Sequence, residues 1–311
     1  MNLIFFDAHC DTLEKVTDSA EALRKNSFHI DLERLMSYDG YIQVFAAFVD
    51  KSKWESPHKR ALSMIDTYYL ELEKNKPVSS HCTNIHQIET ALNAHRVACM
   101  LSVEGGEAIE GSLEKLDVLY GKGVRIMTLT WNYANEICDG IGEASGGGLT
   151  DFGKQVVKKM NRLGMIVDVS HISVKGFWDV LKNSTKPFIA SHSNAKGLCP
   201  HPRNLDDSQI KAIINTGGCI GVNFYPLFVA ENRCTAEDIV NHIEYFLELG
   251  GENNIGIGSD FDGIDTTPRE IHGAEGMNKI VECMLRRNFT QELIEKITSK
   301  NFLRVIKLVC G

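Results

Sequence analysis

Eight short apolar runs, spaced along the whole chain and separated by amphipathic stretches, restrict the fold more than any other feature. They are "NLIFFDAHCD", "YIQVFAAFV", "VACMLSVEGG", "VRIMTLTWN", "MIVDVSH", "PFIASHS", "CIGVNFY" and "NIGIGSDFDG". Between most of them lie segments of helical periodicity, such as "DFGKQVVKKMNRLG" and "AEDIVNHIEYFLELGG", several opened by Ser, Thr or Asp and closed by Gly. Near-continuous apolar strands alternating with helices predict a parallel sheet covered by helices. Eight such units in 311 residues fit a (β/α)8 TIM barrel of the metal-dependent hydrolase type. The expectation is a single catalytic domain over residues 1–311, with helices from about residue 277 closing the barrel. The rival is a doubly wound open sheet, which usually has fewer strands and carries a phosphate loop. "EGGEAIEG" and "GEASGGGL" match neither G-x-G-x-x-G nor the Walker pattern.

A formal charge of −8, with no block of basic residues, excludes nucleic acid as the main partner. No apolar run approaches the roughly 20 residues a membrane span needs. No signal pattern precedes the first strand, so the chain is expected to be unprocessed and cytoplasmic. The nine cysteines, an odd number with no C-x-x-C pair, read as buried thiols rather than a disulfide framework.

The active site of such a barrel forms at the C-terminal ends of its strands, and unusual residues gather there. His9 and Asp11 end the first run, Glu104 the third, His171 the fifth, His192 the sixth and Asp260 the eighth. Six metal-type side chains thus occupy equivalent positions on five strands. Residues i and i+2 of a strand share a face, so His9 and Asp11 are expected to point together into the barrel mouth and Cys10 away from it. Three imidazoles with carboxylates suit zinc or a similar divalent ion. The set exceeds what one tetrahedral site needs, and Glu104, on a strand between the others in sequence, is the natural bridge between two ions. A lone histidine at a strand end is ordinarily structural, and Asp260 in "SDFDG" reads equally as a turn residue. The coincidence of five strand ends is what favours a metal site. His58, His81, His86, His95 and His242 follow no such pattern and are expected at the surface.

Taken in order, "DAHCDT", "SVEGGEAI", "VDVSH", "FIASHS", "HPRNLDD", "GVNFY" and "GSDFDG" resemble the zinc-dependent membrane (renal) dipeptidases and their soluble bacterial relatives nearly end to end. The resemblance implies two zinc ions per chain. His9 and Asp11 hold one, His171 and His192 the other, and Glu104 bridges them. It implies that Asp260 is the catalytic acid/base, that Arg203 in "HPRN" binds the substrate carboxylate, and that Tyr225 in "VNFY" lines the substrate pocket. The implied activity is hydrolysis of dipeptides, with tolerance of a C-terminal D-residue, by a homodimer.

The chain departs from the family in two respects. It is expected to lack the signal peptide and the lipid-anchor tail of membrane-anchored relatives. Trp131 in "TLTWN" stands where those relatives place a histidine thought to polarise the scissile carbonyl. Indole has one N–H donor and no acid function at neutral pH, so Trp131 is assigned to the lining of the substrate pocket. The residues leave two rivals. One is an amidohydrolase on another acyl amide, or a phosphoesterase, against which the aspartate in "HCD" counts. The other is a non-catalytic metal-binding relative.

Overall fold

A computed structural model describes residues 3–50, 52–230 and 233–311. Its strands are β1 (Ile4–Cys10), β2 (Gly40–Phe48), β3 (Ser79–His81), β4 (Val97–Glu104), β5 (Val124–Thr128), β6 (Ile166–Asp168), β7 (Ile189–Ala190), β8 (Cys219–Val222) and β9 (Ile255–Ile257). Every pairing is parallel, in the order β2-β1-β9-β8-β7-β6-β5-β4-β3. A further pairing of β2 with β4 closes eight of these strands into a TIM barrel.

The eight apolar runs supply the eight barrel strands. The ninth, β3, has no counterpart among them. It is three residues long and reads "SSH", too short and too polar to stand out as a strand. It pairs with Val97–Cys99 at the start of β4, and β5 takes over that edge from Leu101.

The core has two layers. The outer one, between strands and helices, includes Phe5, Phe45, Leu101, Val103, Met127, Val167 and Ile220. The inner one includes Phe6, Ala8, Ile42, Val44, Ala98, Met100, Ile126, Ile166 and Ile189. The helix Asn301–Val309 adds Phe302, Val305, Ile306 and Val309 to this inner layer. Phe302 stacks on Phe6 at 5.0 Å between centroids and lies 2.4 Å from where a Cβ on Gly256 would stand. These partners come early in their strands, so this helix packs at the end of the barrel opposite the strand C-termini.

Several ladders stop early because side chains take over the backbone donors. Asp168 accepts the N–H of Ser170 at 3.0 Å and of Ser191 at 2.9 Å, and Asp7 accepts the N–H of Ser259 at 2.8 Å. Buried donors must be satisfied somewhere. Two internal carboxylates do so here, which frees the strand ends from the ladder just where the polar residues begin.

Candidate metal centre

His9, Asp11, Glu104, His171, His192 and Asp260 converge at the strand C-termini, all of them buried. His9 Nε2 lies 3.0 Å from Glu104 Oε2, 3.3 Å from Asp11 Oδ2 and 3.9 Å from Asp260 Oδ1. On the other side, Glu104 Oε1 lies 3.0 Å from His171 Nε2 and 3.7 Å from His192 Nε2. One carboxylate oxygen therefore faces the β1 residues and the other faces the two later histidines. The separations match the spacing of donor atoms around a shared ion, about 3.3 Å for a tetrahedron with metal–nitrogen bonds near 2.0 Å.

Simple strand alternation does not put His9 there. Phe6 and Ala8 belong to the inner layer, which by parity would send Cys10 inward and His9 outward. The register slips between Asp7, paired with Gln43, and Cys10, paired with Phe45, so three residues oppose two. The extra residue reverses the parity, and Cys10 joins the outer layer. His171 and Asp260 need another device. Their φ values are 67° and 61°, in the left-handed region that non-glycine residues rarely occupy. Such conformations persist where surrounding structure over-determines them, often at functional sites.

Second residues fix the ring orientations. His171 Nδ1 lies 2.8 Å from the Asn132 side-chain oxygen, and His192 Nδ1 lies 2.8 Å from Ser191 Oγ. An amide oxygen only accepts, so His171 carries its proton on Nδ1 and leaves Nε2 bare. Asn223 donates from Nδ2 to Asp260 Oδ2 at 2.8 Å. None of Asn132, Ser191 and Asn223 stood out in the sequence. The one available signal was adjacency, since each lies within or next to a strand-end motif.

Charge states agree with a cation-binding role. Burial, reinforced by the Arg203 charge, pushes His171 down to about 4, against the pull of Glu104. Burial also carries His192 well below its ordinary value. Both rings are thus neutral, the form that ligates. Burial opposes a charge on His9, but the Glu104 and Asp11 carboxylates outweigh it and raise its pKa well above the usual range. Burial is also the main cause that pushes Asp260 up to about 7, with His9 opposing and Asp11 and Glu104 adding to it. Buried Asp11 Oδ1 has no hydrogen-bond partner, and His9 Nε2 is surrounded by the carboxylates of Glu104, Asp11 and Asp260. The Nε2 atoms of His171 and His192 face each other at 2.9 Å. Orphaned buried acceptors are costly, and bare imidazole nitrogens turned toward one carboxylate suit a divalent cation.

A cleft of about 360 Å³ opens above this cluster, lined by Phe48, Trp131, Tyr225, Phe228, Asp260 and Asp265 among others. Trp131 packs edge-on to Phe48 at 5.2 Å and stands 6.4 Å from the His171 ring. Tyr225 packs on Phe228 at 4.8 Å. Arg203 lies behind this wall. It is 7% exposed, and its guanidinium sits 5.5 Å from the Phe228 ring, lining a small cavity that shares His171 with the main cleft. Its Nε has no partner, and Nη2 donates to His192 O at 3.4 Å. The nearby acids serve elsewhere: Asp206 caps the helix Asp207–Asn215, and Asp207 accepts from Tyr245.

A further expectation needs correction. His242 is not at the surface. It is 1% exposed, accepts at Nδ1 from the Ala195 N–H and lies 2.9 Å at Nε2 from Val229 O. Its helix packs an otherwise apolar face, and two backbone groups satisfy the ring. Asp262, two residues beyond Asp260, has its oxygens taken by Thr12 Oγ1 at 2.5 Å and the His29 N–H at 2.9 Å, with Lys15 at 3.4 Å.

A family model described as membrane dipeptidase (peptidase family M19) matches residues 1–310. An uncharacterized protein in the pqqA 5′ region of Klebsiella pneumoniae is 35% identical over 263 residues, 79% of this chain and 97% of that one. The crystal structure of the metallopeptidase dipeptidase AC, of family M19, superposes with a TM-score of 0.92 at 25% identity, covering 100% of both chains. A Rhodobacter sphaeroides metallopeptidase, liganded with a phosphinate mimic of the dipeptide L-Ala-D-Ala, superposes at 0.91 and 24% identity, covering 99% of this chain and 100% of its own. No helix among the described residues is long and apolar enough to cross a membrane.

Proposed function

Because this chain belongs to the membrane dipeptidase family, peptidase family M19, we propose that it hydrolyses the peptide bond of dipeptides at a binuclear zinc centre. The observation that carries the two-ion reading is the split of Glu104, with Oε2 toward His9 and Oε1 toward His171 and His192. His9 and Asp11 would hold one ion and His171 and His192 the other, with Glu104 shared between them. When bound, such a pair supplies Lewis acidity, polarising the scissile carbonyl and making water a competent nucleophile near neutral pH.

The chain's own groups do the rest. Asp260 takes the proton of the attacking water and delivers it to the leaving amine. A carboxyl titrating near neutrality suits both halves of that task, and Asn223 holds one of its oxygens so that the other faces the cluster. Trp131, Phe48 and Tyr225 wall the cleft and exclude water. Cleft size and the phosphinate dipeptide mimic held by the Rhodobacter relative support dipeptides as substrates, including those ending in a D-residue. A cytoplasmic homodimer completes the reading. The test is a dipeptide panel assayed before and after chelation. Turnover should be lost with the metal and restored by zinc. Activity on dipeptides that survives complete metal removal would sink the reading, and turnover confined to other acyl amides would shift it to an amidohydrolase.

In this reading Arg203 receives the substrate's C-terminal carboxylate. It is a buried guanidinium with no carboxylate in ion-pair range among the described residues, and its planar fork suits a bidentate grip. A charge-assisted contact is worth about 1.5–3 kcal/mol. Arg203→Ala should therefore lower kcat/KM for free dipeptides by roughly 10–150-fold. Dipeptide amides, which lack the carboxylate, should be poor wild-type substrates and lose little more. Equal losses on both substrate types would mean that Arg203 does not read the carboxylate.

A further inference from the structure

We infer that Asp168 is a positioning residue which, through the Ser191 hydroxyl, dictates which nitrogen of His192 carries the proton and so keeps Nε2 bare for a metal ion. The inference rests on the assignment of His192 to the metal centre, but its first readout does not.

Asp168 ends β6, is fully buried and has no cation in ion-pair range among the described residues. Four donors satisfy it. The backbone N–H groups of Ser170 (3.0 Å) and Ser191 (2.9 Å) both point at Oδ1. The hydroxyls of Thr128 and Ser191 both point at Oδ2, each at 2.6 Å. With two backbone N–H donors on Oδ1 and two hydroxyls on Oδ2, Asp168 is the acceptor throughout, and the single Ser191 hydroxyl hydrogen is committed to it at 2.6 Å rather than to Ser170 Oγ at 3.3 Å. Toward His192 Nδ1, 2.8 Å away, Ser191 Oγ therefore acts as acceptor. His192 must carry Nδ1–H, which leaves Nε2 with a free lone pair 3.7 Å from Glu104 Oε1. Asn132 imposes the same tautomer on His171. Partners of this kind orient a ligating histidine and raise its basicity. The charge here acts through an intervening hydroxyl rather than by direct contact.

The network makes an unusual demand of Asp168→Asn. Two backbone N–H groups require an acceptor at Oδ1, so the amide oxygen must sit there and the amide nitrogen at Oδ2. That nitrogen has two hydrogens for two hydroxyls, so the asparagine is accommodated without loss of packing. The direction of the chain reverses, however. Ser191 Oγ now accepts from Asn, and its hydrogen turns to His192 Nδ1, which at 2.8 Å is nearer than the other available acceptor, Ser170 Oγ at 3.3 Å. The imidazole proton is driven to Nε2, where it blocks ligation.

Two-bond ¹H–¹⁵N spectra of the histidine rings in the full chain, metal-stripped and then zinc-loaded, report the tautomer directly. Wild type should show His192 as Nδ1–H and Asp168→Asn as Nε2–H. Calorimetric titration with Zn²⁺ should show the site of His171 and His192 weakened by about 10–100-fold in the variant, with the site of His9 and Asp11 unchanged. Ser191→Ala should weaken the same site, and Ser191→Thr, which keeps a hydroxyl, should restore it. This pair carries the test if Asp168→Asn does not fold. His192 remaining Nδ1–H in a folded Asp168→Asn, or Ser191→Ala binding both ions as tightly as wild type, overturns the inference. A wild type that shows Nδ1–H on His192 but binds no second ion would instead count against the binuclear centre.

Discussion

Asp260→Asn should lower kcat on dipeptides by about 10²–10⁴, the usual share of a general acid/base, while leaving metal content and fold intact. The substitution is close to isosteric. Asparagine tolerates the left-handed backbone at φ 61° as well as aspartate does. Its amide oxygen accepts the same bond from Asn223 Nδ2, so the side chain stays in place. What disappears is an oxygen that can gain and lose a proton near neutral pH. The carboxyl sits near 7 chiefly because it is buried, with His9 pulling it down and the Asp11 and Glu104 charges pushing it up. Steady-state kinetics, run with elemental analysis of the same preparation, would check the prediction. A variant with wild-type kcat and full metal would place proton transfer elsewhere. Asp262 is a poor substitute, because Thr12, Lys15 and the His29 backbone already hold its oxygens.

The second large effect is expected of Glu104→Gln. Wild type should bind about two divalent ions per chain. The glutamine amide is neutral, offers one acceptor oxygen and bridges poorly, so both sites should weaken together. Metal chemistry supplies several kcal/mol of transition-state stabilisation, and about 1.4 kcal/mol corresponds to a factor of ten. Turnover should therefore fall by about 10³ or more. Metal content can be counted by elemental analysis, and coupling to folding can be followed through zinc-dependent thermal stabilisation. Added zinc should raise the melting temperature of wild type clearly and that of Glu104→Gln much less. A wild-type count of zero or one ion at saturating zinc excludes the binuclear centre. A variant that loses one ion and keeps the other at full strength makes Glu104 a ligand to a single metal.

The identities of the converging groups were legible before any coordinates. Residue types carry their chemistry with them, and parallel strands all deliver their C-terminal ends to one face of a barrel. Apolar runs alternating with helical periods define such a barrel, so His9, Asp11, Glu104, His171, His192 and Asp260 could be assigned to one mouth from their places at the run ends. Local pattern could not reveal how each side chain turns inward. His9 depends on a register slip against β2, which exists only once two distant segments pair. His171 and Asp260 depend on left-handed backbone that the surrounding structure must hold in place. The hydrogen bonds of Asn132 and Asn223 span 39 and 37 residues, and those of Asp168 reach 40 and 23 residues to Thr128 and Ser191. Nothing in a one-dimensional string favours those partners over any other polar pair. Burial of Arg203 and His242 is likewise a product of packing, because a charged or polar residue in a loop or on a helix announces no depth until neighbouring elements cover it. Strand-end chemistry is thus a property of the chain's local order, whereas tautomer, orientation and depth belong to contacts that form only when the barrel closes.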